Sequence, residues 1–208
     1  MDRRDRIKSP VSINGRKLTL PKGKKIILWV IVNLEVWDTE LPQPRNILPP
    51  PMGISMLPDL PNWSWHEYGM RVGFWRILET LKKRKICSTL ALNATVCDHY
   101  PEAVNAAMSE RWEPMGHGYI QKPMHKVENE FVDIKSAINK IEDFTKNKVI
   151  GWESPGLTET HNTLDILSEN GIKYTANWPI DDQPQDLNVK SGERMLTLPY
   201  PVEINDVV

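Results

Sequence analysis

Short hydrophobic runs alternate along the chain with longer segments in which apolar residues recur at helical spacing. The first run, 26–32, is almost continuously apolar and β-branched, which is typical of a buried parallel strand. Further strands are predicted at 86–92, 112–115, 149–150, 172–178 and 195–200. Helices are predicted between them at 71–85, 101–109, 126–147 and 160–169. Strands that alternate with helices in this way predict parallel βα units and an α/β fold.

Two segments break this alternation. Residues 1–24 are polar and basic, and they predict a surface arm that leads into the first strand. Residues 41–65 are rich in proline, which argues against a regular helix or a central strand there. Because this second segment also carries apolar side chains such as Met52 and Trp63, we expect an ordered flap over the strand ends rather than a free linker.

The composition argues against several classes of partner. Lys and Arg number 26 and Asp and Glu 27, a net charge of −1 that disfavours nucleic acid and anionic membranes as partners. Cys87 and Cys97 form no CxxC pair, and we expect both to be buried thiols in a reducing compartment. The run 26–32 is far shorter than the roughly 20 residues that a spanning helix needs, and no signal-type segment is recognised. We therefore expect a cytoplasmic protein.

Polar residues suited to chemistry lie where the predicted strands end. Glu35 follows the first strand, and His117 lies between two glycines just after the third. The glycines leave room for a ligand or for the backbone beside the imidazole. In barrels and open α/β sheets, catalytic groups gather at these carboxyl ends. The alternative at His117 is a surface turn that happens to contain a histidine.

Taken in order, these segments resemble the NodB-homology, or polysaccharide deacetylase, superfamily, and most closely its cytosolic allantoinase-like branch. The resemblance is carried by Glu35, Gly116-His117-Gly118-Tyr119 and Gly151-Trp152-Glu153-Ser154-Pro155-Gly156-Leu157-Thr158, with support from 68–73, 181–184 and 198–206. It covers residues 25–208 and implies a distorted (β/α)7 barrel that hydrolyses a carbon–nitrogen amide bond. Members of this branch continue past 203–206, so the resemblance also implies a barrel that is incomplete at its C-terminal end. A second copy or a partner chain would then cover the open edge.

The resemblance further implies that the usual metal site is missing. Metal-dependent members carry two adjacent aspartates after the first strand and a second histidine four residues after the first. Here Glu35 and Val36 stand at the aspartates and Gln121 at the second histidine. One histidine and a glutamine are a poor ligand set for a divalent ion, so we expect no cofactor. The alternative is one divalent metal such as zinc, held by His117, His125 and Asp181.

The leading hypothesis is a hydrolase of a small linear or cyclic amide. Glu35 acts as general base on the attacking water, in apolar surroundings supplied by Trp37 and Trp152. His117 stabilises the oxyanion or protonates the leaving nitrogen, oriented by a neighbour such as Asp182. The candidates for substrate binding are Arg71, Asn93, Trp152, Glu153 and Asp182. Arg71 is equally compatible with an exposed helix start, and Trp152 with the core.

The remaining histidines, His66, His99 and His161, are predicted to be surface or capping residues. Two other functions stay open. A metal-dependent carbohydrate N-deacetylase fits the superfamily, although Val36 and Gln121 argue against it. A non-catalytic binding module, or a catalytic remnant, fits the expected incomplete barrel.

Overall fold

The computed structural model describes residues 2–8, 18–41, 43, 48–50, 53–54 and 57–205. Within these residues a single sheet contains β1 (Ile31–Leu34), β2 (Thr89–Leu92), β3 (Glu113–Gly116), β4 (Gly151–Trp152), β5 (Tyr174–Thr175), β6 (Gln185–Leu187) and β7 (Met195–Thr197). The helices are α1 (Leu60–Tyr68), α2 (Phe74–Lys83), α3 (Val96–His99), α4 (Pro101–Ser109), α5 (Glu130–Thr145) and α6 (Thr163–Glu169). None of the helices in this part of the chain is both long and apolar enough to cross a membrane.

The sheet is mostly parallel, as the alternation of strands and helices predicts. The strand order is β1-β2-β3-β4-β5-β7-β6, with β6 antiparallel to β7 and all other neighbours parallel. β1 and β6 lie at opposite edges, so the described strands form an open sheet rather than a closed barrel. Leu34, Leu92 and Gly116 are register partners across β1, β2 and β3. The residues that follow these three therefore meet at one edge of the sheet.

The core lies between the central strands and the helices that cover them. All four residues of β2 are buried, and α5 buries Ile134, Ile138 and Ile141 against the sheet. α5 begins after Asn129, whose side chain accepts a hydrogen bond from the Val132 N–H and caps the helix. Phe131, in the first turn of the same helix, is 41 % exposed. Of the two cysteines predicted to be buried, Cys97 is buried and Cys87 is exposed.

The predicted first strand is wrong over most of its length. Ile26, Ile27 and Leu28 are 64–83 % exposed, and β1 begins only at Ile31. The reason lies in the neighbouring strand. After α2 the chain makes a tight turn, with Lys85 at a φ of 56°, and β2 joins the sheet at Thr89, opposite Ile31. The Val30 carbonyl still accepts a hydrogen bond from the Thr89 N–H at 2.9 Å, but β2 does not extend far enough to pair with Ile26, Ile27 and Leu28.

The end of the predicted flap is helical instead. α1 begins at Leu60, with Pro61 in its first turn, where the missing N–H of proline leaves no intrahelical bond unmade. Asp59 caps the helix by accepting a hydrogen bond from the Asn62 N–H at 3.3 Å. Much of the rest of the predicted flap, namely 42, 44–47, 51–52 and 55–56, lies outside the described residues.

Part of the predicted surface arm packs into the molecule. Arg6 is only 3 % exposed and donates to both carboxylate oxygens of Asp165, at 2.6 and 2.7 Å. Ile7 forms an antiparallel bridge with Leu187 in β6. The prediction of a surface arm is therefore wrong at these two residues, although 21–24 is exposed as expected. Residues 9–17 lie outside the described residues.

Candidate functional site

Polar side chains converge at the carboxyl ends of four neighbouring parallel strands. Glu35 follows β1, Asn93 follows β2, His117 follows β3 and Glu153 follows β4. The strands end in register, since Leu34 pairs with Leu92, Leu92 with Gly116, and Gly116 with Trp152. The register therefore brings these four residues to one edge of the sheet, where α/β proteins place their sites.

His117 is held at both of its ring nitrogens. Nδ1 donates to the backbone carbonyl oxygen of Glu153 at 2.7 Å, and Nε2 lies 3.1 Å from Oε1 of Glu35. A carbonyl oxygen can only accept a hydrogen bond, so the contact with Glu153 places a proton on Nδ1. His117 is 1 % exposed, whereas 25 % of the Glu35 side chain is exposed. A substrate would therefore reach the pair from the side of Glu35.

The carboxylate of Glu35 is held by donors on both oxygens. Oε1 faces His117 and also accepts a hydrogen bond from Gln121 Nε2 at 3.1 Å. Oε2 accepts a hydrogen bond from Trp37 Nε1 at 3.0 Å. Burial raises the pKa of Glu35. The hydrogen bond and the charge of His117, together with the hydrogen bond from Trp37, lower this pKa by more than burial raises it, so the net pKa lies below the usual value. Glu35 is therefore ionised at neutral pH.

The pKa of His117 is shifted in the opposite direction. Burial lowers it, but the hydrogen bond to Glu35, the charges of Glu153 and Glu35 and the bond to the Glu153 carbonyl together raise it above its usual value. The pKa of Glu153 is raised, chiefly by burial, and its Oε1 accepts from Asn33 Nδ2 at 2.9 Å. The arrangement favours an imidazolium paired with the Glu35 carboxylate.

Asn93 links the segments that carry these groups. It is fully buried, accepts a hydrogen bond from the Val36 N–H at 2.9 Å, and donates to the His117 carbonyl and to Gln121 Oε1. These bonds use its carbonyl oxygen and both amide hydrogens. Asn93, predicted to contact substrate, is thus fully engaged with the protein, and it holds Gln121 with Nε2 toward Glu35.

Trp152 also belongs to the core rather than to an open pocket wall. Its side chain is fully buried, and Nε1 donates to Ser154 Oγ at 2.9 Å. Its ring lies flush against Gly116, where an added Cβ would come within 2.5 Å of it. Trp152 therefore fixes the end of β3, just before His117.

Two of the predicted substrate-binding residues lie apart from this cluster. Arg71 is exposed, in a π-helical turn (Gly69–Gly73) between α1 and α2, and its charge lies near Tyr100. Asp182 is exposed and makes no hydrogen bond to His117 in the described part of the chain. The prediction that Asp182 orients His117 is wrong, because the carbonyl of Glu153 occupies Nδ1.

The candidate metal ligands that the structure describes do not come together as a site for a divalent ion. His125 is exposed, and the carboxylate of Asp181 accepts from the Gln183 N–H and from Gln185 Nε2, so the alternative set with His117 is not assembled. The amide of Gln121 is committed to Glu35 and Asn93. Among the residues that the structure describes, no three His, Cys, Asp or Glu side chains form a group that could hold a metal.

His66 lies much nearer the site than the sequence predicts. It projects from α1 and stacks on Trp37, with ring centroids 5.8 Å apart and planes 19° apart. Burial lowers the pKa of His66, while the charges of Glu35 and Asp59 oppose that shift. His66 is half-buried, and its position beside Trp37 could not be predicted, because the sequence did not predict α1.

A surface groove of about 580 Å³ lies away from this cluster. It is lined by residues of α3 and α5, among them Cys97 and Lys140, and by Tyr119. Burial, the largest cause, raises the pKa of the Cys97 thiol to about 11, which makes it a poor nucleophile. The groove contains none of Glu35, His117 and Glu153.

Comparison with known proteins is consistent with this geometry. The structure matches that of Puue allantoinase, with 27 % sequence identity and a TM-score of 0.66, over 71 % of this chain and 50 % of the allantoinase. It matches a probable polysaccharide deacetylase from Pseudomonas aeruginosa PAO1, with 27 % identity and a TM-score of 0.65, over 74 % and 51 % of the two chains. A Schizosaccharomyces pombe protein named for the polysaccharide deacetylases is 25 % identical over an alignment 161 positions long, which covers 69 % of this chain and 50 % of the relative.

The chain thus spans about half the length of these relatives. Their fold is the distorted (β/α)7 barrel, and the open sheet described above is part of it. Residues 65–175, more than half of the 208 residues, match the family model for polysaccharide deacetylase. The chain belongs to the polysaccharide deacetylase family.

Proposed function

We propose that this domain hydrolyses the carbon–nitrogen bond of a small linear or cyclic amide, using Glu35 and His117 as base and acid. The observation that carries the proposal is the placement of His117 between the carboxylate of Glu35 and the carbonyl of Glu153. Family membership and the similarity to an allantoinase support the same class of reaction.

In this mechanism Glu35 takes a proton from a water molecule, whose oxygen attacks the amide carbonyl carbon. Nε2 of His117 donates its proton to the leaving nitrogen as the carbon–nitrogen bond breaks, giving an acid and an amine. The proton on Glu35 then passes to Nε2, 3.1 Å away, and restores the starting pair. The lowered pKa of Glu35 and the raised pKa of His117 keep a charged base and a protonated acid available together.

Acetylated sugars are the second substrate class, supported by the names of the Pseudomonas and fission yeast relatives. The metal chemistry of such a deacetylase would need ligands other than Gln121, whose amide is engaged with Glu35 and Asn93. We therefore place the metal-independent amide hydrolase first.

The test is hydrolysis by the purified chain on a panel of allantoin, cyclic imides, formamides and N-acetylglucosamine oligomers, with and without a chelator. We expect activity that survives the chelator and falls roughly 100-fold or more in Glu35→Gln. Glu169→Gln, at an exposed position on α6, is the matched control and should keep the parent rate.

Three outcomes would contradict the proposal. A Glu35→Gln variant as fast as the parent would remove Glu35 from the mechanism. Activity lost with chelator and restored by a divalent ion would favour the metal-dependent deacetylase. A folded chain that is silent on every substrate would favour a binding module or a catalytic remnant.

A further inference from the structure

One peptide group behind the site is engaged at both ends. Its carbonyl, on Glu153, accepts the hydrogen bond from His117 Nδ1 at 2.7 Å. Its N–H, on Ser154, donates to Oδ1 of Asn177 at 2.7 Å. His117, Ser154 and Asn177 are between 0 and 7 % exposed, so water does not compete strongly for these bonds. Asn177 is thus connected to the imidazole through a single peptide unit.

Asn177 is in turn fixed by Glu159. Nδ2 of Asn177 donates to Glu159 Oε1 at 2.6 Å and to Ser154 Oγ at 2.9 Å. The other oxygen of Glu159 accepts from Trp178 Nε1 at 2.7 Å. The amide of Asn177 can therefore not rotate by 180° without turning its oxygen toward a carboxylate and its NH2 group toward the Ser154 N–H.

A chain of hydrogen bonds of this kind is cooperative, because each donated bond makes the next acceptor stronger. When Asn177 binds the N–H of this peptide, the carbonyl oxygen of Glu153 becomes a better acceptor for His117 Nδ1. The stronger bond keeps the proton on Nδ1 and keeps Nε2 directed at Glu35. We propose that Asn177 and Glu159 are positioning residues for His117 and act through the Glu153–Ser154 peptide. The catalytic meaning of this proposal rests on the proposed function, but the state of His117 can be measured without turnover.

The electrostatics of Glu159 agree with this role. Burial, above all, raises the pKa of Glu159 to about 7, with a contribution from the charge of Glu130, while the bonds from Asn177 and Trp178 and the charge of Arg6 oppose the rise. Both oxygens of Glu159 already face donors, so a proton on either oxygen would displace one of them. The ionised form is the one that supports Asn177.

The experiment records the ¹⁵N signals of the His117 ring in the free, labelled protein, at a pH high enough for the imidazole to be neutral, because only the neutral ring has two tautomers. We expect Asn177→Ala and Asn177→Asp to move these signals toward a mixture of tautomers, and to reduce kcat about tenfold with little change in KM. In the double variant Asn177→Asp with Glu159→Gln, the side chain at 159 becomes the donor and the side chain at 177 the acceptor. The side chain at 177 still offers an oxygen to the Ser154 N–H. It should return the His117 signals toward those of the parent.

Glu130→Gln is the matched control, because Glu130 lies near Glu159 but bonds Thr160 and Thr163 instead of Asn177. It should leave the His117 signals in place. Unmoved signals in the folded Asn177 variants, or a double variant no closer to the parent than the single one, would overturn the proposal. If Asn177→Ala does not fold, Glu159→Gln replaces it as the variant that removes the support of the Asn177 amide, and the His117 signals are recorded in the same way. A parent protein inactive on all substrates would count against the proposed function alone, since the ring signals still report on the hydrogen bonds.

Discussion

At the scale of single residues, the site depends on the different partners of the two nitrogens of His117. Nδ1 is bound to a carbonyl oxygen, which cannot change its protonation, whereas Nε2 faces Glu35, which can. Proton exchange is therefore confined to one nitrogen and one carboxylate. The opposite pKa shifts of these two groups widen the pH range in which both are charged.

The pH dependence of hydrolysis follows from these shifts. The reaction needs Glu35 ionised, and its pKa lies below 4.5, so kcat/KM should fall on the acid side only below that pH. It also needs His117 protonated, and its pKa lies above 6.5, so the alkaline fall should begin only above that value. Because the groups interact, the two apparent values belong to the pair. Measurement of kcat/KM from pH 4 to 10 checks this, and a rate that rises steadily through pH 7 would contradict it.

Substitution of Gly116 tests whether the backbone of β3 must lie this close to the Trp152 ring. The Cβ of Gly116→Ala would lie 2.5 Å from a ring that is fully buried and cannot move aside easily. We expect the free energy of unfolding in urea to fall by about 1–3 kcal/mol. Gly69→Ala, in a helical turn with open space around the new Cβ, should keep or raise it. Equal stability of the two variants would show that the Trp152 ring can give way.

At the scale of elements, the sequence predicts an element well where its length and pattern agree. α4 and the end of β2 lie where predicted, so Asn93 was placed correctly at a strand end. The sequence does not predict α1, because proline argues against a helix, whereas Pro61 lies in the first turn of this one. β6 has only three residues and too little pattern to be recognised.

Among the residues of the site, those at strand ends could be predicted and those on loops could not. Glu35, His117 and Glu153 could be predicted together because parallel strands in register end at one edge. The distance of Asp182 from His117 is set by the path of a loop, which no periodicity encodes. Asn177 was hidden inside the predicted strand 172–178, although β5 ends at Thr175.

The ion pair between Arg6 and Asp165 binds the segment around Arg6 to α6. Their side chains are 3 and 6 % exposed, so Asp165→Asn leaves a buried guanidinium without its counter-charge and should cost about 3–5 kcal/mol of unfolding free energy. Arg6 holds the pKa of Asp165 far below its usual 3.8. Its contribution is therefore present above pH 3.8 and is lost as the pH falls below it.

Chemical denaturation at pH 7 and at pH 3 measures both effects, and the difference between parent and variant should shrink at pH 3. Asp186→Asn removes a more exposed partner of Arg194 and is the control, with an expected loss of about 0–1 kcal/mol. If the two variants were equally stable at neutral pH, the buried pair would have no special role.

At the scale of the whole molecule, an exposed apolar strip, Ile26, Ile27 and Leu28, lies just before β1, which is an edge strand of the described sheet. Unpaired strand edges readily pair with other chains. We propose that a second copy of this chain covers this edge. The triple variant Ile26→Ser, Ile27→Ser, Leu28→Ser should keep the free energy of unfolding within about 1 kcal/mol, because these side chains are already exposed.

The same variant should weaken self-association in sedimentation over a range of concentrations. Val132→Ser, at an exposed position on α5, is the control and should not change association. If the triple variant associates like the parent, the strip is not an interface between copies and the proposal is wrong.

Arg6 donates not only to Asp165 but also to the carbonyl oxygen of Asn188, 182 positions later in the chain. At the usual 5–20 residues per second, the ribosome adds Asn188 roughly ten to forty seconds after Arg6. Until His161 and Asp165 have been added, none of the native partners of the guanidinium exists, and β6, the strand that Ile7 bridges, is made later still. A ribosome that stalled before residue 165 would hold a nascent chain whose leading segment has nowhere to dock, which is the kind of chain that chaperones bind.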